Sequence, residues 1–161
     1  MERQTTKMAK SSQQVTEDKD VRTLLMKFAS AIRGGEINEI MAFYAPEIVA
    51  FDMMPPLQFQ GLMAYRKTWE ECFTNYFQFP VEFEFVEQQI FVEGDIAFTY
   101  SLIHTKGTGK EGRVLESWIR NTCCLRKIEG SWLITHEHNS VPLESETGKG
   151  LLNLKPYGLA H

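Results

Sequence analysis

The sequence lacks any apolar run that approaches the roughly 18 residues needed to cross a bilayer. It also lacks a strong charge of either sign, since 17 basic and 21 acidic residues leave a net charge of −4. Electrostatics therefore gives no reason to expect nucleic acid or an anionic membrane as a partner. The first ten residues are polar and contain no apolar signal core. We expect a cytoplasmic protein that binds neither nucleic acid nor membrane.

Cysteine is scarce, and its spacing is not that of a metal site. The three cysteines are Cys72, Cys123 and Cys124. Adjacent cysteines on a strand point to opposite faces and are poorly placed to pair with each other. The glycine-rich stretch 107–112 lacks the full glycine pattern of a phosphate-binding loop. These features predict a reduced, intracellular protein with no cofactor.

Apolar side chains recur at helical spacing in the first half of the chain. The recurrence covers residues 21–32, 37–44 and 62–76, and glycine or proline follows each stretch. A short strand-like run lies between the second and third stretches, at 47–52. The first half therefore predicts three helices and one short strand.

The second half changes to the period of two that is typical of strands. Alternation begins near residue 81, and the turns predicted at 93–95 and 129–130 divide the stretch into hairpins. Helices followed by a meander of long strands predict an α+β fold, with three N-terminal helices packed on a curved antiparallel sheet. Such a sheet forms a cone whose interior is suited to a ligand.

Three segments follow from this pattern. Residues 1–16 carry no apolar periodicity and are expected to be a flexible or helical extension. Residues 17–142 form the single domain, because no second boundary or internal repeat is visible. Residues 143–161 form a C-terminal tail with several glycines.

Two stretches of sequence point to a known family. Residues 43–52 (FYAPEIVAFD) and 132–142 (WLITHEHNSVP), with Arg120 and Thr122 on the preceding strand, resemble the SnoaL-like and ketosteroid isomerase-like branch of the NTF2-like superfamily. The resemblance covers roughly residues 20–142 and implies the NTF2-like, or cystatin-like, cone.

The resemblance also implies a site. Asp52 falls on the position of the general base of ketosteroid isomerase. Phe28 falls where that enzyme has a tyrosine of the oxyanion hole, and no carboxylate stands near 120–122, where the second donor is expected. Because losing one such donor typically costs about 10²–10³ in rate, steroid isomerisation by the family mechanism is not expected.

Three residues are candidates for proton transfer. Asp52 lies in an apolar strand, where an acid is expensive to bury without a partner, although it can equally cap the following turn. His136 and His138 lie two apart and share a strand face. With His104 they can also be read as a metal site, or as structural histidines. A good third ligand is not evident, so we expect no metal.

A second set of residues is assigned to ligand binding. Strand alternation places Arg120 on the same face as Glu116, Trp118 and Thr122. That face lies either inside the cone, where Arg120 would bind a carboxylate, or on the outside of the sheet. Tyr65 and Trp69 lie on one face of a predicted helix and form either the pocket wall or part of the core. The predicted ligand-binding residues are Arg120, Trp118, Thr122, Glu116, Trp69 and Tyr65. We expect Arg120 to lie opposite His138 and to share one cavity with it and Asp52.

Two functions remain open. The first is binding of a moderately apolar small molecule, with or without isomerase, dehydratase, cyclase or hydrolase activity by proton transfer. The alternative is a non-catalytic association module. A homodimer through the outer sheet face is expected, with Phe83, Phe85 and Phe91 as its aromatic area.

Overall fold

A computed structural model describes residues 12–158 of the chain. Within these residues, three helices lie in the first half and four long strands follow, so the three helices and six strands match the predicted α+β class. In chain order they are α1 Ser12–Gly34, α2 Ile37–Met41, β1 Tyr44–Phe51, β2 Phe59–Gln60, α3 Leu62–Asn75, β3 Phe77–Glu93, β4 Ile96–Gly109, β5 Val114–Ile128 and β6 Ser131–Ser140.

Helix α1 includes the last residues of the expected N-terminal extension, for which a helix is one of the two stated alternatives. Residues 12–16, assigned to the extension, form its first turns, while residues 1–11 lie outside the described part of the chain. The helix ends at Gly34, and Gly35 follows with φ +75°. A Cβ on Gly35 would stand 2.9 Å from the ring of Phe79, so both backbone conformation and space favour glycine there.

All six strands belong to one sheet, in the order β2-β1-β6-β5-β4-β3. Neighbouring strands are antiparallel except β1 and β6, which are parallel. The sheet is therefore mixed rather than antiparallel throughout. No hairpin joins β1 to β6, because the rest of the sheet and α3 separate them along the chain, so no turn imposes the antiparallel direction. Pro46, expected to close the second helix, lies inside β1 instead.

The sheet has two different faces. The inner face, which packs against the helices, carries the buried side chains of β5, such as Asn121, Cys123 and Leu125. The outer face carries the alternate residues of the same strand, among them the exposed Arg120. This division of faces decides which predicted site residues can reach the interior.

A β-bulge in β6 reverses the alternation of that strand. Leu125 pairs with Ile134 and Cys124 pairs with His136, so Thr135 is one extra residue without a counterpart. Ile134 points inward before the bulge, and Glu137 points inward after it. One inserted residue moves every later side chain to the other face.

No helix within residues 12–158 is long and apolar enough to cross a membrane.

The assignment of faces can be tested by truncation. Leu125 is fully buried on the inner face, whereas Ile96 is 61% exposed at the start of β4. We expect Leu125→Ala to lower the free energy of unfolding by about 2–5 kcal/mol, because it removes buried methyl groups and leaves a cavity. Ile96→Ala should change it by less than about 0.5 kcal/mol. Equal losses in urea unfolding of the two variants would contradict the assignment.

Candidate ligand site

A cavity of about 520 Å³ lies between the inner face of the sheet and helices α1 and α3. Its volume is within the range of about 300–1,000 Å³ that is usual for small-molecule sites. The exposed side chains that border it, Met53, Met54 and Val114, mark its opening. Most of the wall is apolar and includes Phe28, Ile32, Trp69, Phe83, Ile103 and Ile119.

One polar cluster interrupts this apolar wall. Asp52 follows directly after β1, Tyr65 lies in the first turn of α3, and Glu137 follows the bulge of β6. All three border the cavity. Gly61 positions α3 for this arrangement, because its N–H donates to the carbonyl of Ile48 in β1 at 2.8 Å.

Hydroxyl groups link the two carboxyl groups of the cluster. The Tyr65 hydroxyl lies 2.9 Å from Asp52 Oδ2 and 3.1 Å from Glu137 Oε2. The Tyr44 hydroxyl lies 2.5 Å from the same Glu137 Oε2. The backbone N–H of Met54 donates to Asp52 Oδ1 at 3.0 Å. Asp52 and Glu137 are thus joined through a single tyrosine.

Glu137 is buried without a cation. It is 2% exposed, and no ion pair found among the described residues includes it. The Asn121 side-chain amide donates to Glu137 Oε1 at 3.1 Å and to Asn139 Oδ1 at 2.9 Å. Burial raises the pKa of Glu137 above its ordinary value, and the negative charge of Asp52 raises it further.

The other titratable groups of the interior are held in their neutral forms. Burial, and then the charge of Glu137, raises the pKa of Tyr44 and Tyr65 well above 10. Burial raises the pKa of the Cys72 thiol, which borders the cavity, to about 11, and the charge of Asp52 adds to this. Cys72 is therefore a thiol at neutral pH and a poor nucleophile.

Four of the predicted site residues border the cavity, and their roles there remain predictions. Asp52 and Tyr65 belong to the polar cluster, and Trp69 belongs to the wall. Glu116 borders the rim, but its carboxylate contacts His104 Nε2 at 2.8 Å. Hydrogen bonding to His104 lowers the pKa of Glu116.

The placement of Arg120 differs from the prediction. Arg120 pairs with Ser140, not with His138, and it lies on the outer face with Trp118 and Thr122. The sequence correctly groups these side chains on one face, but the inner face belongs to the alternate residues of β5. Arg120 therefore does not share the cavity with Asp52.

The two histidines also lie on the outer side, because the bulge precedes them. His136 Nδ1 contacts the carbonyl oxygen of Val49 at 2.8 Å, beside the ring of Phe51. His138 pairs with Thr122 and borders a separate surface cavity that also reaches Asp52. Within residues 12–158 no cluster of three His, Cys, Asp or Glu side chains has the geometry to hold a metal ion.

Four polar residues of the cluster and its surroundings are not indicated by the sequence patterns: Glu137, Tyr44, Asn121 and Asn139. Glu137 stands between the two histidines, so strict alternation from the apolar Ile134 would turn the histidines inward and the glutamate outward. The bulge reverses this, and no turn residue in the sequence signals it. Tyr44 was assigned to a helix rather than to β1.

Comparison with known proteins shows the family. The SnoaL-like domain matches residues 21–144, which is most of the chain. The chain therefore belongs to the SnoaL-like family, within the NTF2-like superfamily. An NTF2-like protein of unknown function from Pseudomonas putida is 33% identical, with a TM-score of 0.79 over 88% of this chain and 98% of that one.

More distant structures share the fold. A ketosteroid isomerase-like protein from Erwinia carotovora atroseptica is 21% identical, with a TM-score of 0.67 over 77% of this chain and 95% of that one. The association domain of C. elegans CaMKII is 13% identical, with a TM-score of 0.64 over 81% of this chain and all of that one. No curated protein sequence matches the chain. The resemblance to ketosteroid isomerase-like proteins and the NTF2-like fold are thus confirmed.

The raised pKa of Glu137 has a consequence for stability. A carboxyl group whose pKa is higher in the folded protein than its ordinary 4.5 favours folding below that value. That contribution is lost as pH rises through the folded-state pKa. The free energy of unfolding of the wild type, minus that of Glu137→Gln, should therefore fall from pH 4.5 upward, by at most about 1.4 kcal/mol per pH unit.

Urea unfolding of both proteins between pH 4 and 8 measures this difference. Acidic groups that do not interact with Glu137 cancel in the subtraction, whereas Asp52 is coupled to Glu137 and contributes to the difference. A difference that rises with pH would contradict a raised pKa for Glu137.

Proposed function

We propose that the protein binds a moderately apolar organic molecule in its cavity and that Asp52 exchanges a proton with it. The observation that carries the proposal is one polar cluster, Asp52, Tyr65 and Glu137, on the wall of an otherwise mostly apolar cavity of about 520 Å³. A ligand with one oxygen-bearing group would place that oxygen at the cluster and its apolar part against the aromatic walls.

Asp52 has the properties of a general base. Its two oxygens receive hydrogen bonds from the Tyr65 hydroxyl and the Met54 N–H, which orient the carboxyl group at the cavity wall. It is half-buried at the cavity wall, so a bound molecule can reach it. Isomerisation, dehydration, cyclisation and hydrolysis all include a proton transfer of the kind that such a carboxylate performs.

Two matched probes test this proposal. 2-Naphthol and naphthalene have nearly the same apolar surface, but only 2-naphthol donates a hydrogen bond. Because a hydrogen bond to a charged group is worth about 1.5–3 kcal/mol, the protein should bind 2-naphthol at least about tenfold more tightly. Asp52→Asn should remove most of this preference, and Arg120→Ala, on the outer face, should leave it unchanged.

Calorimetric titration of the three proteins with both probes gives the comparison. The proposal fails if neither probe binds at its solubility limit. It also fails if Asp52→Asn keeps the preference for 2-naphthol or if Arg120→Ala abolishes it.

A specific feature of the outer face supports the second candidate function, association. Phe91, Phe98 and Tyr100 are 42%, 46% and 48% exposed. The rings of Phe91 and Phe98 stack at 4.7 Å, and that of Tyr100 stacks on Phe91 at 5.8 Å. A clustered aromatic surface of this kind is typical of an interface. The fold is also that of the CaMKII association domain.

The exposed aromatic surface is formed by residues that differ in part from those predicted. Phe83 and Phe85 were expected on the outer face, but Phe83 borders the cavity and Phe85 packs against Phe28 on the inner side. Only Phe91 of the predicted set contributes, because the irregular pairing between Val86 and Gln89 shifts the alternation of β3. We propose that two copies of the chain associate through the Phe91, Phe98 and Tyr100 surface.

Sedimentation at micromolar concentration tests the dimer. We expect the wild type to sediment as a dimer and Phe98→Glu as a monomer, because a charge would be buried without a partner. Leu57→Glu provides the control, since Leu57 is 93% exposed in the loop after β1 and should leave the dimer intact. A monomeric wild type, or a dimeric Phe98→Glu variant, would rule out this interface.

A further inference from the structure

The contacts within the polar cluster bear on how many hydrogen-bonding protons its tyrosines and carboxyl groups carry. Three oxygen–oxygen contacts connect its members in a chain, Tyr44 to Glu137, Glu137 to Tyr65, and Tyr65 to Asp52. When each contact is a separate hydrogen bond, each holds one proton between its two oxygens. The two tyrosine hydroxyls supply two protons. A separate hydrogen bond in the third contact takes its proton from one of the carboxyl groups, which gives Asp52 and Glu137 one proton between them.

Their surroundings indicate which carboxyl group holds that proton at rest. Asp52 is half-buried at the cavity wall, and the backbone N–H of Met54 donates to its Oδ1. Glu137 is 2% exposed and has no cationic partner within residues 12–158. Burying an ionised carboxylate there costs far more than burying the acid. With the proton on Glu137, its O–H would donate to the Tyr65 oxygen, and the Tyr65 hydroxyl would donate to Asp52.

The remaining titratable groups around the pair do not compete for the proton. Tyr44 faces Glu137 from β1, Cys123 faces it from β5, and Cys72 lies near Asp52 on α3. Burial raises the pKa of each, so all three are neutral near pH 7. His136 and His138 lie on the face of β6 opposite Glu137, and His138 shares a surface cavity with Asp52.

We propose that Asp52 and Glu137 share one proton at neutral pH and that the Tyr65 hydroxyl passes it between them. The shared proton is argued from contacts within the chain itself and does not depend on a ligand. Its use on a bound molecule rests on the function proposed above.

The transfer is balanced within the three side chains. The O–H bond of Glu137 breaks as its proton moves to the Tyr65 oxygen, while the original Tyr65 proton moves to Asp52 Oδ2. Tyr65 is a neutral hydroxyl before and after. The negative charge moves from Asp52 to Glu137, where the Tyr44 hydroxyl, the Asn121 amide and the re-formed Tyr65 hydroxyl donate to it.

The relay gives Asp52 two roles. With the proton on Glu137, Asp52 is a carboxylate and can accept a proton from a bound molecule. With the proton on Asp52, it is an acid and can donate one. Reactions that remove a proton at one atom and return it at another need both forms. Glu137 is then a positioning residue that acts through Tyr65, although it also borders the cavity.

Carboxyl ¹³C NMR of the ligand-free protein, labelled in the Asp and Glu side chains, tests the proposal. At pH 7 the Glu137 carbon should resonate as an acid and the Asp52 carbon as a carboxylate. As pH rises further, both carbons should shift with the same midpoint, because the last proton is shared. Asp52→Asn should lower the Glu137 midpoint, because it removes a nearby negative charge.

Two tyrosine variants form a matched pair. Tyr65→Phe removes the link, so the Asp52 carbon should lose its step at the shared midpoint. Tyr44→Phe removes a hydroxyl from Glu137 but leaves the link, so the shared step should remain, at a midpoint shifted upward by the loss of a donor to the carboxylate. If Tyr65→Phe fails to fold, the Asp52→Asn and Tyr44→Phe results still decide whether Asp52 and Glu137 share one proton.

Several outcomes would overturn the relay. These are both carboxyl groups ionised at pH 7, both protonated, a Glu137 midpoint that rises in Asp52→Asn, or a shared step that survives Tyr65→Phe. Failure of the proposed function is distinguishable, because 2-naphthol would then not bind while the ligand-free titration remained as expected.

Discussion

A carboxyl group buried without a cation is the constraint on which the site depends. Glu137 can be accommodated in the interior only with hydrogen-bond partners, because an unpaired carboxyl group is costly there. Tyr44 on β1, Tyr65 on α3 and Asn121 on β5 supply them. The same contacts tie β1, α3, β5 and β6 together, so the network that stabilises Glu137 also fixes the wall of the cavity.

The two faces of the sheet separate the two functions considered for this protein. The inner face provides the cavity and its polar cluster, and the outer face provides the exposed aromatic surface around Phe91 and Phe98. The faces carry alternate residues of the same strands, so ligand binding and association need not compete. A dimer formed on the outer face would leave the mouth beside Met53 and Met54 open to a ligand.

The sequence was sufficient for the fold because the signals were local. Helical spacing placed α1 and α3, and the turns near Gly94 and Gly130 placed two hairpins. The site could be predicted only where the type and position of a single residue were enough to identify it, as with Asp52. The orientation of β6 depends on Thr135, an extra residue whose effect appears only when β5 is paired beside it. Because of that single bulge, Glu137 points inward where the two histidines were expected, and no local sequence pattern predicts the bulge.

Neutron diffraction from a crystal of the ligand-free, deuterated protein at neutral pH tests the central claim most directly, because it locates the hydrogen isotopes themselves. The account predicts a deuterium on Glu137 Oε2 directed at the Tyr65 oxygen, a deuterium on Tyr65 directed at Asp52 Oδ2, and none on Asp52. A bare Glu137 carboxylate, with the deuterium on Asp52 or with no deuterium on either carboxyl group, would contradict it.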